Sequence, residues 1–313
     1  MNCPHPYPDF QIGSGSFIKQ TFIMRTNALK IAIILMIIIS CDVSRSVNKD
    51  LQTGLVTRGN GLSCENVTLS IGDQTIHRHT FIYGEELFVN FNNMEGFEKE
   101  NGRAFPGMQL LVITDRGDTA LQKDDLYAGL EQGTDVSTIL LQAKVTMADP
   151  IHSNRDHTLH INIWDKKGEG TFQAKLEFDV VPDEKIEIES NQLSFKEAYL
   201  FSREKGRTIT GDQASLNEHI YMIFEGLEGF EVEGGKVLIG LGMRIVDASG
   251  EVILNEEDLI GDTEMEFGEV HTRLSPNFIL SGAEAQNPVA VDISIWDKRG
   301  EGRIKASIEL NME

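Results

Sequence analysis

Apolar residues recur at every second position through much of the chain. Leu159, Ile161 and Ile163 are one such set and Val291, Ile293 and Ile295 another, with polar or small residues between most of them. A period of two belongs to a β-strand with one buried face, and one-sided burial favours antiparallel sheets. The pattern occurs twice. Residues 161–170, INIWDKKGEG, return as residues 293–302, ISIWDKRGEG. Leu87-Phe88-Val89 and Met94-Glu95-Gly96-Phe97 return as Ile220-Tyr221-Met222 and Leu227-Glu228-Gly229-Phe230. Leu121 and Asp125-Leu126 match Leu254 and Asp258-Leu259, and Leu62-Ser63-Cys64 aligns with Leu193-Ser194-Phe195. Self-similarity on this scale means two copies of one domain. Turn signals at Asp115-Arg116-Gly117 and Asp247-Ala248-Ser249-Gly250 punctuate both copies as hairpins would. With about seven strands per copy, the chain is expected to be all-β: two tandem antiparallel β-sandwich domains, immunoglobulin-like or similar. One short helical interval is expected near residues 123–130.

The pattern also sets boundaries. The first sandwich is expected over residues 62–181, Pro182-Asp183-Glu184 breaks the apolar alternation as a linker, and the second sandwich runs over 185–313, opening on the alternating strand 185–189. Residues 41–61 are polar, with Ser, Asn, Thr and Gly, and predict a flexible tether. Upstream, residues 1–40 form a targeting segment: Arg25 and Lys30 supply positive charge, Ile31 to Ile39 form an apolar run, and Ser40 precedes Cys41. The run is shorter than the ~20 residues a bilayer span requires. Ile38-Ile39-Ser40-Cys41 resembles the box that ends the signal of bacterial lipoproteins, with Met24 as a start nearer to the positive charges than Met1. That resemblance implies that Cys41 is acylated and that the mature chain is anchored to a membrane of the cell envelope, the outer membrane of a bacterium being the expected one. Several acyl chains on one residue would hold it stably.

Charge narrows the partners. Lys and Arg number 28 against 49 Asp and Glu in 313 residues, a net charge of −21. Such a surface repels phosphate backbones, so nucleic acid is excluded as a partner. Three cysteines, Cys3, Cys41 and Cys64, do not make a disulfide framework. Cys64 aligns with Phe195, so an apolar packing role is expected for it.

The repeated Asp-Lys-Lys/Arg-Gly-Glu-Gly element has the residues of a tight turn, Asp first and Gly fourth. Its carboxylates also admit a calcium reading. Asp115, Asp118, Asp165 and Glu169 in one copy, and Asp247, Glu251, Asp297 and Glu301 in the other, could supply hard oxygen ligands at one end of a sandwich. In this the loops are similar to those of calcium-dependent phospholipid-binding sandwich modules, although Lys166, Lys167, Lys298 and Arg299 place positive charge where the cation would sit. Trp164 and Trp296 fall on the polar face under strict alternation, beside His160 and Asn162 and beside Asp292 and Ser294. An aromatic ring there could stack on a sugar or contact a partner; the alternative is that each ring turns inward or covers its own hairpin. His77, His79, His152, His157 and His160 have no paired metal-binding spacing and no counterpart in the second copy, so they are expected at the surface. No nucleophile elbow, phosphate loop or Cys/His pairing points to catalysis. The expectation is a non-enzymatic, membrane-anchored envelope lipoprotein that binds a protein or glycan or serves assembly. A spacer without a ligand site, a carbohydrate- or calcium-dependent binder and a carboxylate-based hydrolase are the alternatives.

Overall fold

The computed structural model of the protein describes residues 45–135, 139–281 and 285–313. The targeting segment, Met24 and Cys41 lie outside the described residues. Arg45–Glu313 forms one compact unit with two hydrophobic cores, one per sequence copy.

The first copy comprises β1 (Arg45–Lys49), β2 (Val56–Asn60), β3 (Ser63–Ile71), β4 (Gln74–Ile76), β5 (Thr80–Ile82), β6 (Glu86–Glu95), β7 (Arg103–Ala104), β8 (Pro106–Thr114), β9 (Thr119–Lys123), β10 (Thr134–Asp135), β11 (Leu141–Thr146), β12 (Arg155–Asp165) and β13 (Thr171–Val181). One sheet has the order β1-β2-β13-β12-β8-β9, with β5 parallel to β13; the other is β11-β6-β3-β4. The sheet-to-sheet crossings from β6 to β8, from β9 to β11 and from β11 to β12 give the Greek-key connectivity of an immunoglobulin-type sandwich. Alternation does the burying: along β12 the odd residues from His157 to Asp165 are buried and the even ones are not. Phe81 meets Phe178 edge-on at 5.6 Å and Phe91 meets Phe172 at 6.0 Å across the core.

The second copy repeats this scaffold with β14 (Glu187–Asn191), β15 (Glu197–Ser202), β16 (Arg207–Ile209), β17 (Gln213–Ala214), β18 (His219–Glu225), β19 (Lys236–Val246), β20 (Val252–Glu256), β21 (Glu264–Glu266), α1 (Phe267–Thr272), β22 (Asn277–Ile279), β23 (Val289–Asp297) and β24 (Arg303–Met312). Its sheets are β14-β24-β23-β19-β20 and β16-β15-β18-β22. The all-β tandem sandwich is therefore the architecture of the chain.

Two local expectations are corrected. Residues 45–60, expected within a flexible tether, form the β1–β2 hairpin, and β2 joins the first sandwich through Thr171↔Asn60 to Lys175↔Val56. Its polar residues concealed it, because an exposed edge strand needs no apolar alternation. Residues 124–130 form turns and no helix. The Asp125 carboxylate takes the N–H groups of Met108 (3.1 Å) and Tyr127 (2.9 Å), while Leu126 N–H goes to Met108 O (2.7 Å), so the segment is pinned to β8 in a turn. The helix is instead α1 in the second copy. The linker is also tight. Asp183 is buried and accepts from Lys185 N–H (3.0 Å) and Gly211 N–H (2.8 Å), which ties residues 182–184 to the second sandwich.

Candidate functional site

The Trp-Asp-Lys motif is built the same way in both copies. Trp164 lies opposite Gly107 in the β12–β8 ladder, and Trp296 lies opposite Gly240 in the β23–β19 ladder. A Cβ on either glycine would overlap the indole, so each ring covers the bare backbone of the neighbouring strand. Both tryptophans do sit on the partly exposed face, half-buried. Each ring thus stays on the polar face where strict alternation placed it, neither turned inward nor laid on its own hairpin partner, β13 or β24, but covering the strand on the other side, β8 or β19.

The aspartates of the motif point inward. Asp165 and Asp297 are buried. Asp165 accepts from the Glu98 and Lys167 amides at 2.5 and 3.0 Å, and Asp297 accepts from those of Glu231 and Arg299 at 2.6 and 3.0 Å. A Cβ on Gly168 would stand 2.7 Å from Asp165 Oδ2, and one on Gly300 2.8 Å from Asp297 Oδ2, which accounts for the repeated glycine. The lysine after each aspartate reaches the opposite way. Lys166 Nζ pairs with Asp125 (2.7 Å) and donates to Tyr127 O (2.8 Å); Lys298 Nζ pairs with Asp258 (2.5 Å) and donates to Gly261 O (2.6 Å). The Lys298 ammonium holds the Asp258 carboxyl below the usual carboxylate range. Each motif is thus a clasp that fixes two loops to one hairpin. The only signal for this in the sequence was that both copies keep Asp125/Asp258 together with Lys166/Lys298.

The proposed calcium ligands do not converge. Thr114, next to Asp115, lies beside His157, whereas Asp165 lies beside Pro106 at the other end of the ladder. At ~3.3 Å per residue, the Asp115–Asp118 turn and the Asp165–Glu169 turn stand roughly 26 Å apart. The same register separates Asp247 and Glu251 from Asp297 and Glu301. Asp247 is committed to its own turn, accepting from the Ser249 and Glu251 amides (2.9 and 3.0 Å) and from Gln286 N–H (3.1 Å). Among the described residues, no three His, Cys, Asp or Glu side chains are grouped to hold a metal ion.

The histidines differ from one another. His77 and His79 are exposed, His152 and His160 half-buried. His157, expected at the surface, is buried: its ring stacks on Phe178 at 5.3 Å, its Nδ1 lies 3.1 Å from Arg155 O, and its Nε2 has no partner. Burial pushes its pKa down. Cys64 is half-buried against the first core and donates to the carbonyls of Asn66 (3.1 Å) and Asn92 (3.2 Å). Burial pushes the thiol up to about 11, in keeping with a packing role.

A cleft that no local pattern announced lies where the two sandwiches meet. It encloses about 690 Å³ and is walled by Tyr83, His152, Glu197, Tyr199, Glu225 and Arg273, among others. Its floor is polar and closely bonded. Glu197, buried at the start of β15, accepts from Ser153 N–H (2.9 Å) and Ser153 Oγ–H (2.7 Å) of the first sandwich. Burial raises its pKa. The rings of Tyr83 and Tyr199 meet at 5.3 Å, and their hydroxyls donate to Glu225 at 3.3 and 2.8 Å. Burial raises both phenol pKa values. Arg273, more exposed, closes one side by donating to Glu225 at 3.0 Å. His152 stands 3.5 Å from Glu197 and 3.4 Å from Asp149, with its Nδ1 otherwise unpartnered. Carboxylates, phenols, imidazoles and cations together form a concave surface suited to a hydrogen-bonding ligand.

No known family model matches the chain, and no curated protein matches it. Among solved structures, pT26-6p aligns at 10% identity over 92% of this chain and 70% of its own, with a TM-score of 0.25. The fibronectin(III)-like modules of CbhA from Clostridium thermocellum align at 9% identity over 78% of this chain and 94% of their own, with a TM-score of 0.19. The ICAM-5 D1–D4 ectodomain fragment aligns at 10% identity over 82% of this chain and 60% of its own, with a TM-score of 0.20. None of these likenesses bears on what this chain binds.

Proposed function

We propose that this protein is a lipid-anchored component of the cell envelope that binds rather than catalyses, and that it receives a protein or glycan partner in the cleft between its sandwiches. The supporting observation is that cleft, lined by side chains from both copies and braced by the buried Glu197–Ser153 bonds. Pockets at domain junctions with a few convergent polar groups are the usual seats of ligands. Acylation at Cys41 would supply the anchor; no helix of the described residues is long and apolar enough to cross a membrane.

Two experiments test the two halves of this reading. Cys41→Ser should move the protein from the membrane fraction to the soluble one; retention in the membrane would sink the anchor. Cross-linked capture from intact cells, comparing the native chain with Lys196→Glu and Arg273→Glu, two cationic residues that line the cleft, tests the site. These variants should lose a partner that the native chain retains. The braced junction also suits the second reading, a spacer with no ligand site, and capture unchanged by both variants would favour that reading.

A further inference from the structure

The two sandwiches share their main sheets but differ at one sheet edge. In the first, β2 lies between β13 and the added strand β1; in the second, its counterpart β14 pairs with β24, and no other strand among the described residues pairs with it. The two edges are equivalent in register. Asn60 pairs with Thr171, the residue opposite Trp164, and Asn191 pairs with Arg303, the residue opposite Trp296. The backbone groups that β2 presents to β1 are therefore presented by β14 to solvent. Such an edge is a template for another strand.

We propose that β1 of one copy leaves its own β2 and adds, antiparallel, to the open edge of β14 in a second copy, so that copies link head to tail. Three observations converge on this occupant. All five residues of β1 are exposed, so only its β2 hydrogen bonds and those of the 50–55 turn retain it. It is basic, carrying Arg45 and Lys49 with no acid, in a chain of net charge −21, whereas β14 carries Glu187 and Glu189. Transferred in the register it holds on β2, Lys49 moves from opposite Val56 to opposite Glu187, and Ser46 moves from opposite Gly59 to opposite Ser190. Opposite charges directly across a ladder stabilise it, whereas the glutamates would repel an acidic strand. Because a head-to-tail contact uses two different surfaces, it propagates into a chain of copies. The inference is independent of the cleft.

The register fixes the test. Opposed Cα atoms in an antiparallel pair are about 4.5–5.5 Å apart, within the range a disulfide bridges. Ser46 Oγ lies 2.8 Å from where a Cβ on Gly59 would stand, and Ser190 carries that Cβ on β14. In the full-length protein with Cys3→Ser and Cys64→Ser, the pair Ser46→Cys with Ser190→Cys should give a ladder of covalent oligomers on mild oxidation in intact cells. The Ser46→Cys single variant sets the background. Adding Lys49→Glu should reduce the ladder several-fold, and adding Glu187→Lys to that variant should restore it. A double-cysteine variant no more oligomeric than the single one would overturn the proposal, as would a ladder indifferent to both charge reversals.

Discussion

At position 157 the first sandwich buries an imidazole, and at the equivalent place, seven residues before the motif tryptophan, the second buries Val289. The first copy therefore carries a titratable group in a site built for an apolar one, stacked on Phe178 with Nε2 unpartnered. Since burial lowers the His157 pKa in the fold, the unfolded chain binds its proton first. The contribution of the neutral ring is complete above the unfolded value of 6.5 and is lost as pH falls below it. His157→Val borrows the second copy's solution. Its melting temperature should exceed that of the native protein by a margin that grows between pH 7.5 and 5.5, at a rate bounded by about 1.4 kcal/mol per pH unit for one proton. Equal pH slopes for the two proteins would show that His157 does not titrate on unfolding.

At the scale of elements, the clasp is the device both copies share, and Asp165 and Asp297 are its centres. Each carboxylate satisfies two backbone amides, one within its hairpin and one on a distant loop. Removing it strands both. Asp165→Ala and Asp297→Ala should each lower stability by about 1.5–3 kcal/mol, the range for hydrogen bonds to charged groups, read as a lower urea midpoint. A change below about 0.5 kcal/mol would mean that water replaces the carboxylate at no cost. How far sequence reading carries is clear at this motif. The strands around it follow from alternation, since Ile161, Ile163, Ile293 and Ile295 are all buried. The turn role of its Asp and Gly follows from local geometry. Its partners do not, because Glu98 and Asp165 are 67 residues apart and the bond uses a backbone amide, which has no sequence signature. The β1–β2 hairpin was missed for a different reason: exposed edge strands leave no hydrophobic trace. The helical reading of residues 123–130 failed because Asp125 and Leu126 bond across to Met108 of β8 and hold the segment in turns.

At the scale of the whole molecule, the cleft belongs to neither copy. Tyr83 and Ser153 come from the first, and Glu197, Tyr199, Glu225 and Arg273 from the second. Comparing the copies could not reveal it, because the junction occurs once in the chain and nothing repeats. Its centre is a carboxyl that burial disfavours as an anion and that Ser153 partly compensates with two hydrogen bonds. For an acid whose pKa is raised by folding, the sign is the reverse of the usual carboxylate case. The folded state binds its proton more tightly than the unfolded chain, whose value is 4.5. Stability from this group is therefore greatest below that value and declines as pH rises through it towards the folded pKa, beyond which the loss is constant. Glu197→Gln keeps an oxygen acceptor for one Ser153 donor and removes the charge. If the junction is braced as described, the variant should lose the part of the pH dependence that Glu197 contributes, so that its melting temperature gains on the native protein between pH 4 and neutrality. The Ser153 donor left without a partner should offset part of that gain. A native-minus-variant difference that stays flat across this interval would mean that folding leaves the Glu197 pKa unchanged, the Ser153 bonds fully offsetting its burial.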